Sequence, residues 1–91
     1  MEISTLSPPY ANRTFRFSIT DGTAPIEITV LINGRQIYSI DCPDPPCHET
    51  IEIPDAIGAR LTITAKDARG EFVQQEFTIA ASTDNSGFST A

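Results

Sequence analysis

Basic residues are scarce in this sequence, and their scarcity excludes one large class of function. There are 6 Lys and Arg against 12 Asp and Glu, which gives a formal net charge of −6. Proteins that bind nucleic acid present a basic surface to the phosphates, and anionic membrane surfaces attract the same residues. We therefore expect no nucleic-acid partner and no attraction to anionic membranes.

Long apolar runs are also missing. No segment approaches the roughly 20 apolar residues that a membrane-spanning helix needs. The opening MEISTLSPPY has neither the basic start nor the apolar stretch of a signal peptide. We expect no membrane insertion. We also expect a module of a longer chain with neighbouring domains, in which any targeting signal lies outside these residues.

A helical repeat of apolar residues does not persist anywhere along the chain. Apolar and polar residues alternate instead, a pattern typical of antiparallel strands that bury one face. The alternating segments are residues 14–20, 26–32, 50–53, 60–66 and 71–80. Residues 2–6 could add a weak first strand. Asn33-Gly34 predicts a two-residue hairpin between 26–32 and 35–40, because both residues tolerate the positive φ of a type I′ turn.

Six or seven short strands without a helix predict an all-β fold, an immunoglobulin-like antiparallel β-sandwich, with a small barrel as the alternative. We expect residues 1–81 to form this domain and residues 82–91, rich in Ser, Thr, Asp, Asn and Gly, to be a flexible polar tail or linker. The predicted core consists of Phe15, Phe17, Ile19, Ile28, Val30, Ile51, Ile53, Leu61, Ile63, Val73, Phe77 and Ile79.

Three stretches, FRFSITDG, ITVLINGRQI and ARLTITAKDARGEFVQQEFTI, resemble the matching pieces of bacterial immunoglobulin-like modules. More loosely, they resemble fibronectin type III and cadherin-like modules. The resemblance covers residues 13–80, although the Trp and the cadherin calcium motifs of some of these families are absent. It implies a non-catalytic structural, spacer or adhesion module of an exported or cell-surface bacterial protein. The implied location is extracellular, at the cell surface or periplasmic.

Both cysteines and the single histidine fall in the stretch DCPDPPCHE, residues 41–49. Cys42 and Cys47 are close enough in sequence to close a short disulfide loop between two strands. The chain-entropy relation gives about 2 kcal/mol for so small a ring, and the prolines inside it reduce that gain. A disulfide would indicate an oxidising compartment.

Two other interpretations of this stretch stay open. Cys42, Cys47 and His48 could ligate a metal with an added oxygen from a neighbouring carboxylate, but structural zinc sites usually draw on a second, distant ligand pair. A redox dithiol would more often have Cys-x-x-Cys spacing at a helix start. We expect the disulfide, with no metal and no cofactor.

Enzymatic activity is not expected. His48 is the only imidazole, so a Ser-His-Asp arrangement would depend on one loop residue. Aspartates near turns, Asp67 among them, could ligate calcium, but Asp also favours turns by bonding its own backbone. The alternative function is a module that binds a carbohydrate or protein ligand. Its candidate contacts are Tyr38, Leu31, Asp44 and His48.

Overall fold

The computed structural model describes residues 1–81 and confirms an all-β fold of seven strands. The predicted tail, residues 82–91, lies outside the described residues. The strands are β1 (Glu2–Thr5), β2 (Thr14–Thr20), β3 (Ile26–Ile32), β4 (Arg35–Cys42), β5 (Cys47–Glu52), β6 (Arg60–Lys66) and β7 (Phe72–Thr78). No helix long and apolar enough to cross a membrane occurs within residues 1–81.

The strands form two antiparallel sheets packed as a sandwich. One sheet has three strands in the order β1-β2-β5, and the other has four in the order β4-β3-β6-β7. Every strand pair in both sheets is antiparallel. The chain changes sheet between β2 and β3, between β4 and β5, and between β5 and β6. Each sheet presents its apolar alternate residues to the other, so one core lies between them.

The core agrees with the alternation in the sequence. Ten of the twelve predicted core residues are buried, whereas Val73 and Phe77 are half-buried and pack against the others. The core also includes Ile3, Pro9, Ala11 and Ile26. The alternating pattern does not predict that the N-terminal segment contributes to the core, because Pro9 and Ala11 are not in a regular strand. Their burial comes from a crossing between sheets, where Tyr10 forms a parallel bridge with Ala80.

The Asn33-Gly34 hairpin forms as predicted. Both residues have positive φ, 52° and 82°, and β3 pairs with β4 on either side of them. Asn33 has a second role, since its Oδ1 accepts a 3.0 Å hydrogen bond from the backbone N–H of Arg60. The backbone N–H of Asn33 in turn donates to the Arg60 carbonyl at 2.9 Å. The hairpin is thereby fixed to the start of β6.

A β-bulge interrupts the pairing of β3 with β4. Val30 faces Tyr38, but the next residue, Leu31, faces Gln36, so Ile37 is the extra residue. Ile37 is exposed. Bulges at sheet edges twist the strand and make it a poor template for another strand. The β4 edge of the four-stranded sheet is therefore irregular.

The two ends of the described chain lie at opposite poles of the sandwich. Glu2 of β1 faces Thr20, at the pole that holds the β2–β3 loop. Thr78 at the end of β7 faces Arg60, at the pole that holds the Asn33-Gly34 hairpin. At about 3.3 Å per strand residue, the seven residues of β7 separate the poles by roughly 20 Å.

Candidate functional site

The disulfide between Cys42 and Cys47 joins the two sheets covalently. Cys42 is the last residue of β4 and faces Ile26 of β3, while Cys47 is the first residue of β5 and faces Ile19 of β2. Both half-cystines are buried, at 6% and 2% exposure, against the core. Residues 43–46 are thus the crossing between sheets, and the bridge fixes β4 and β5 side by side.

A hydrogen bond between Tyr38 and Glu49 continues this connection along the same side. The Tyr38 hydroxyl donates to Glu49 Oε1 at 2.9 Å. Tyr38 faces the buried Val30, and Glu49 faces the buried Phe17, so both belong to the inward faces of their sheets. Partial burial, and then the bond and charge of Glu49, raise the pKa of Tyr38 above 10.0. We call this side of the sandwich, formed by β4 and β5, the disulfide side.

Replacing Tyr38 by phenylalanine should lower the free energy of unfolding by about 1 kcal/mol, since the Glu49 carboxylate loses its donor while the ring stays packed. Ultraviolet titration of the wild type minus this variant should show a tyrosine that ionises above its ordinary pKa. The bond contributes stability in full below pH 10.0, and that stability is lost as the pH rises through the raised pKa. A Glu49→Gln variant that titrates like the wild type would contradict this assignment.

The four candidate ligand contacts do not share one surface. Leu31 is half-buried on the outer face of the four-stranded sheet, since its neighbour Val30 points inward. His48 is exposed on the outer face of the other sheet, next to the inward-facing Cys47. Tyr38 lies at the side between the sheets, and Asp44 is exposed in the loop between the cysteines. His48, Tyr38 and Asp44 lie near the disulfide side, and Leu31 does not.

The thiol chemistry of the loop is restricted by the bridge. Both sulfurs belong to the disulfide, so neither is available as a thiolate ligand or nucleophile in this state. Within residues 1–81, no three His, Cys, Asp or Glu side chains are grouped so that they could hold a metal ion. His48 and Asp44 therefore remain as exposed side chains on the rim of a cross-linked loop.

Comparison with models of known protein families, with curated proteins and with solved structures finds no match.

Asp67 forms a second connection, at the pole that holds the N-terminus. Asp67 is a buried residue, with 6% exposure, and its carboxylate accepts three backbone hydrogen bonds. Oδ1 accepts from the N–H groups of Arg69 and Glu71 at 3.0 and 2.8 Å. Oδ2 accepts from the N–H of Thr23 at 3.0 Å, while the Thr23 carbonyl accepts from Ala68 at 2.9 Å. The carboxylate thereby joins the β6–β7 turn to the β2–β3 loop.

These hydrogen bonds lower the pKa of Asp67, with the bond from Thr23 the largest contribution. A lowered folded-state pKa stabilises the fold in full above the ordinary value of 3.8, and the contribution is lost as the pH falls through the lowered pKa. Urea unfolding between pH 2 and pH 7 should show this decline for the wild type.

An Asp67→Asn variant should be less stable than the wild type at pH 7, because its NH₂ group would face the Thr23 N–H in place of an acceptor. Its stability should also fall less steeply below pH 3.8. The exposed Asp55→Asn is the matched control and should keep the wild-type slope. Equal acid slopes for Asp67→Asn and the wild type would contradict the role given to Asp67.

Two of these contacts were absent from the sequence predictions. The Asp67 turn was expected, but its bond to Thr23 was not, because that contact spans 44 positions. Glu49 is one of the carboxylates near the cysteines, for which the sequence suggests only an added metal ligand. The sequence does carry a signal for it, since alternation from Cys47 and Ile51 places Glu49 on an inward face. A carboxylate there needs a partner.

Proposed function

We propose that this chain is a non-catalytic structural, spacer or adhesion module of an exported or cell-surface bacterial protein. The observation that carries the proposal is that the two ends of residues 1–81 lie at opposite poles. Neighbouring domains joined at the two ends would be held apart by the length of the sandwich. A module with both ends at one pole would instead fold its neighbours back on each other.

The contacts between the terminal segments support a load-bearing role. Ala11 N–H donates to the Ala80 carbonyl at 2.9 Å, and Ala80 N–H donates to the Pro9 carbonyl at 3.0 Å. Tension between the chain ends would pull residues 9–11 toward one pole and Ala80 toward the other. Because the two segments are parallel, both bonds would be loaded at once rather than one after the other.

The strand distribution supports the resemblance to immunoglobulin-like modules. In the constant-type immunoglobulin domain the first, second, fifth and fourth strands share one sheet. Here β1, β2 and β5 share a sheet, but β4 has moved to the edge of the other one beside β3. The antiparallel sandwich is common to many surface domains of unrelated sequence, so the strand order supports the architecture and the contacts support the role.

The disulfide supports export, because such bonds persist mainly in oxidising compartments. The test is to alkylate free thiols in denaturant immediately after lysing the producing cells, and to detect the protein by antibody on cells whose outer layers are permeabilised while the inner membrane stays intact. We expect both cysteines to be oxidised and the protein to be reachable without breaking the inner membrane. Alkylated cysteines in a protein reached only after that membrane is broken would overturn the exported part of the proposal.

Force spectroscopy tests the spacer role separately. Pulled through its two ends, the domain should unfold in one event at a higher force than when it is pulled through residues 34 and 81, which lie at the same pole. Equal forces in the two geometries would contradict a load-bearing arrangement.

A glycan array and a pull-down with the same protein would test the alternative function, a ligand-binding module. A specific hit that is lost with Tyr38→Ala would favour binding.

A further inference from the structure

The outer edge of β7 is a regular, open strand edge, and it is independent of the proposed spacer role. β7 pairs with β6 without a register shift from Phe72 to Thr78. Among the described residues, no strand pairs with its other side over this length. The edge is bounded at one end by the contact of Ala80 with Pro9 and Ala11, and at the other by the β6–β7 turn, where the Asp67 N–H donates to the Glu71 carbonyl at 3.0 Å.

The backbone hydrogen bonds show which residues of this edge are free. Ile79 exchanges bonds with Ala59 and Gly58 on the β6 side, and Glu71 accepts from Asp67 on the same side. Ala80 bonds in the opposite direction, to residues 9–11. Since successive strand residues point their N–H and C=O groups to alternate sides, odd-numbered residues face β6. The outward-facing residues are Phe72, Gln74, Glu76 and Thr78.

The side chain of Gln75 contacts the three-stranded sheet rather than the outer edge of β7. Its Nε2 donates to the Ile3 carbonyl of β1 at 3.4 Å, across the side of the sandwich opposite the disulfide side. That contact uses the free edge of β1, which is only four residues long. Within residues 1–81, no strand pairs with the outward-facing backbone groups of Gln74 and Glu76.

The sequence of β7, FVQQEFT, is complementary to itself when two copies run antiparallel about Gln75. Each Gln74 then faces Glu76 of the other copy, and each Val73 faces Phe77. The outward-facing residues Gln74 and Glu76 form hydrogen-bonded pairs, while Gln75 faces its own copy in a non-hydrogen-bonded pair. Centring the pair on Glu76 would oppose two like charges, and centring it on Gln74 would pair fewer residues. One register is therefore favoured.

The other edges are less suited to this pairing. β4 carries the bulge at Ile37, and β5 is fixed beside β4 on the disulfide side. β7 has no proline, lysine or bulge, which are the usual devices that protect an edge. The first residue of β7, Phe72, is also 55% exposed. We propose that two copies of this chain associate through their β7 edges, with a two-fold axis at Gln75, to form a continuous eight-stranded sheet.

Sedimentation equilibrium up to millimolar concentration should show a monomer–dimer equilibrium. Gln74→Lys should tighten it, because lysine would face Glu76 of the partner twice, and Gln74→Glu should weaken it by opposing two carboxylates. The cross-strand pair energies correspond to roughly a 2- to 30-fold change in the dissociation constant in each direction. Both variants keep the backbone donors and acceptors of the edge.

Ser39→Lys and Ser39→Glu are the matched controls. Ser39 is exposed on β4 at the opposite edge of the same sheet, so these variants change the net charge equally without touching β7. A second measurement is amide hydrogen exchange. Protection of the Gln74 and Glu76 amides should rise with protein concentration, while that of Gln75, already bonded to β6, should not.

Each outcome decides the proposal. Dimerisation that responds to the Gln74 variants in opposite directions, and not to the Ser39 variants, supports pairing through β7. A wild type that stays monomeric at millimolar concentration overturns it. A dimer that responds equally to the charge changes at positions 74 and 39 also overturns it, since the contact would then lie elsewhere.

Discussion

Replacing Phe15 by alanine is expected to lower the free energy of unfolding by about 3–5 kcal/mol. Phe15 is 1% exposed at the centre of the three-stranded sheet. Its ring lies 5.7 Å from that of Phe77 in an edge-on arrangement, and 6.1 Å from that of Phe17. The substitution removes both aromatic contacts and leaves a cavity that a rigid two-sheet core can fill only in part.

This loss is a large fraction of the roughly 5–15 kcal/mol that holds a domain of this kind folded. Urea or guanidinium unfolding at micromolar concentration measures it, and the denaturation midpoint should fall while the slope is kept. Phe72→Ala removes the same side chain from a position that is 55% exposed, and it should change stability by no more than about 0.5 kcal/mol. Similar losses for the two variants would mean that Phe15 is not at the centre of the core.

Reducing the disulfide is expected to lower the free energy of unfolding by about 2 kcal/mol, or roughly 8–16 °C in the melting temperature. Cys42 and Cys47 are five positions apart, so the entropic part is small. The structure adds a second effect, because the bridge joins the two sheets at a buried position. A Cys42→Ala, Cys47→Ala variant should therefore lose more than reduction alone, since it also removes both buried sulfur atoms.

Thermal unfolding with and without a reductant measures the first effect, and the double variant measures the second. The reductant should leave the melting temperature of the double variant unchanged, so this variant controls for any effect of the reductant other than breaking the disulfide. A wild type whose melting temperature does not respond to complete reduction would show that the polar contact of Tyr38 with Glu49 is sufficient to hold the disulfide side.

Much of the fold follows from local sequence signals. Alternation marks the buried faces of β2, β3 and β6, and Asn33-Gly34 fixes the register of β3 with β4. The disulfide was predicted from the position of its cysteines between two strands. These features depend on residues close together in the chain, where pattern and turn chemistry act directly.

The remaining contacts depend on how the two sheets lie against each other. No local pattern shows that β5 joins β2 rather than β4, and this choice is what makes residues 43–46 a crossing between sheets. Nor does a local pattern show that the candidate contacts Leu31 and His48 lie on opposite outer surfaces of the sandwich. Glu49 and Gln75 are polar residues at inward positions, and each marks a side where the two sheets meet.

Those two sides differ in strength. The disulfide side is closed by a covalent bond and a hydrogen bond to a charged acceptor. The opposite side, along β1 and β7, is joined by the 3.4 Å contact from the Gln75 side chain to the Ile3 carbonyl and, at one pole, by the backbone bonds of Ala80 with Pro9 and Ala11. Native-state fluctuations should therefore separate the two sheets first along β1 and β7, while the disulfide keeps β4 and β5 together. The first strand would detach before the other six lose their order.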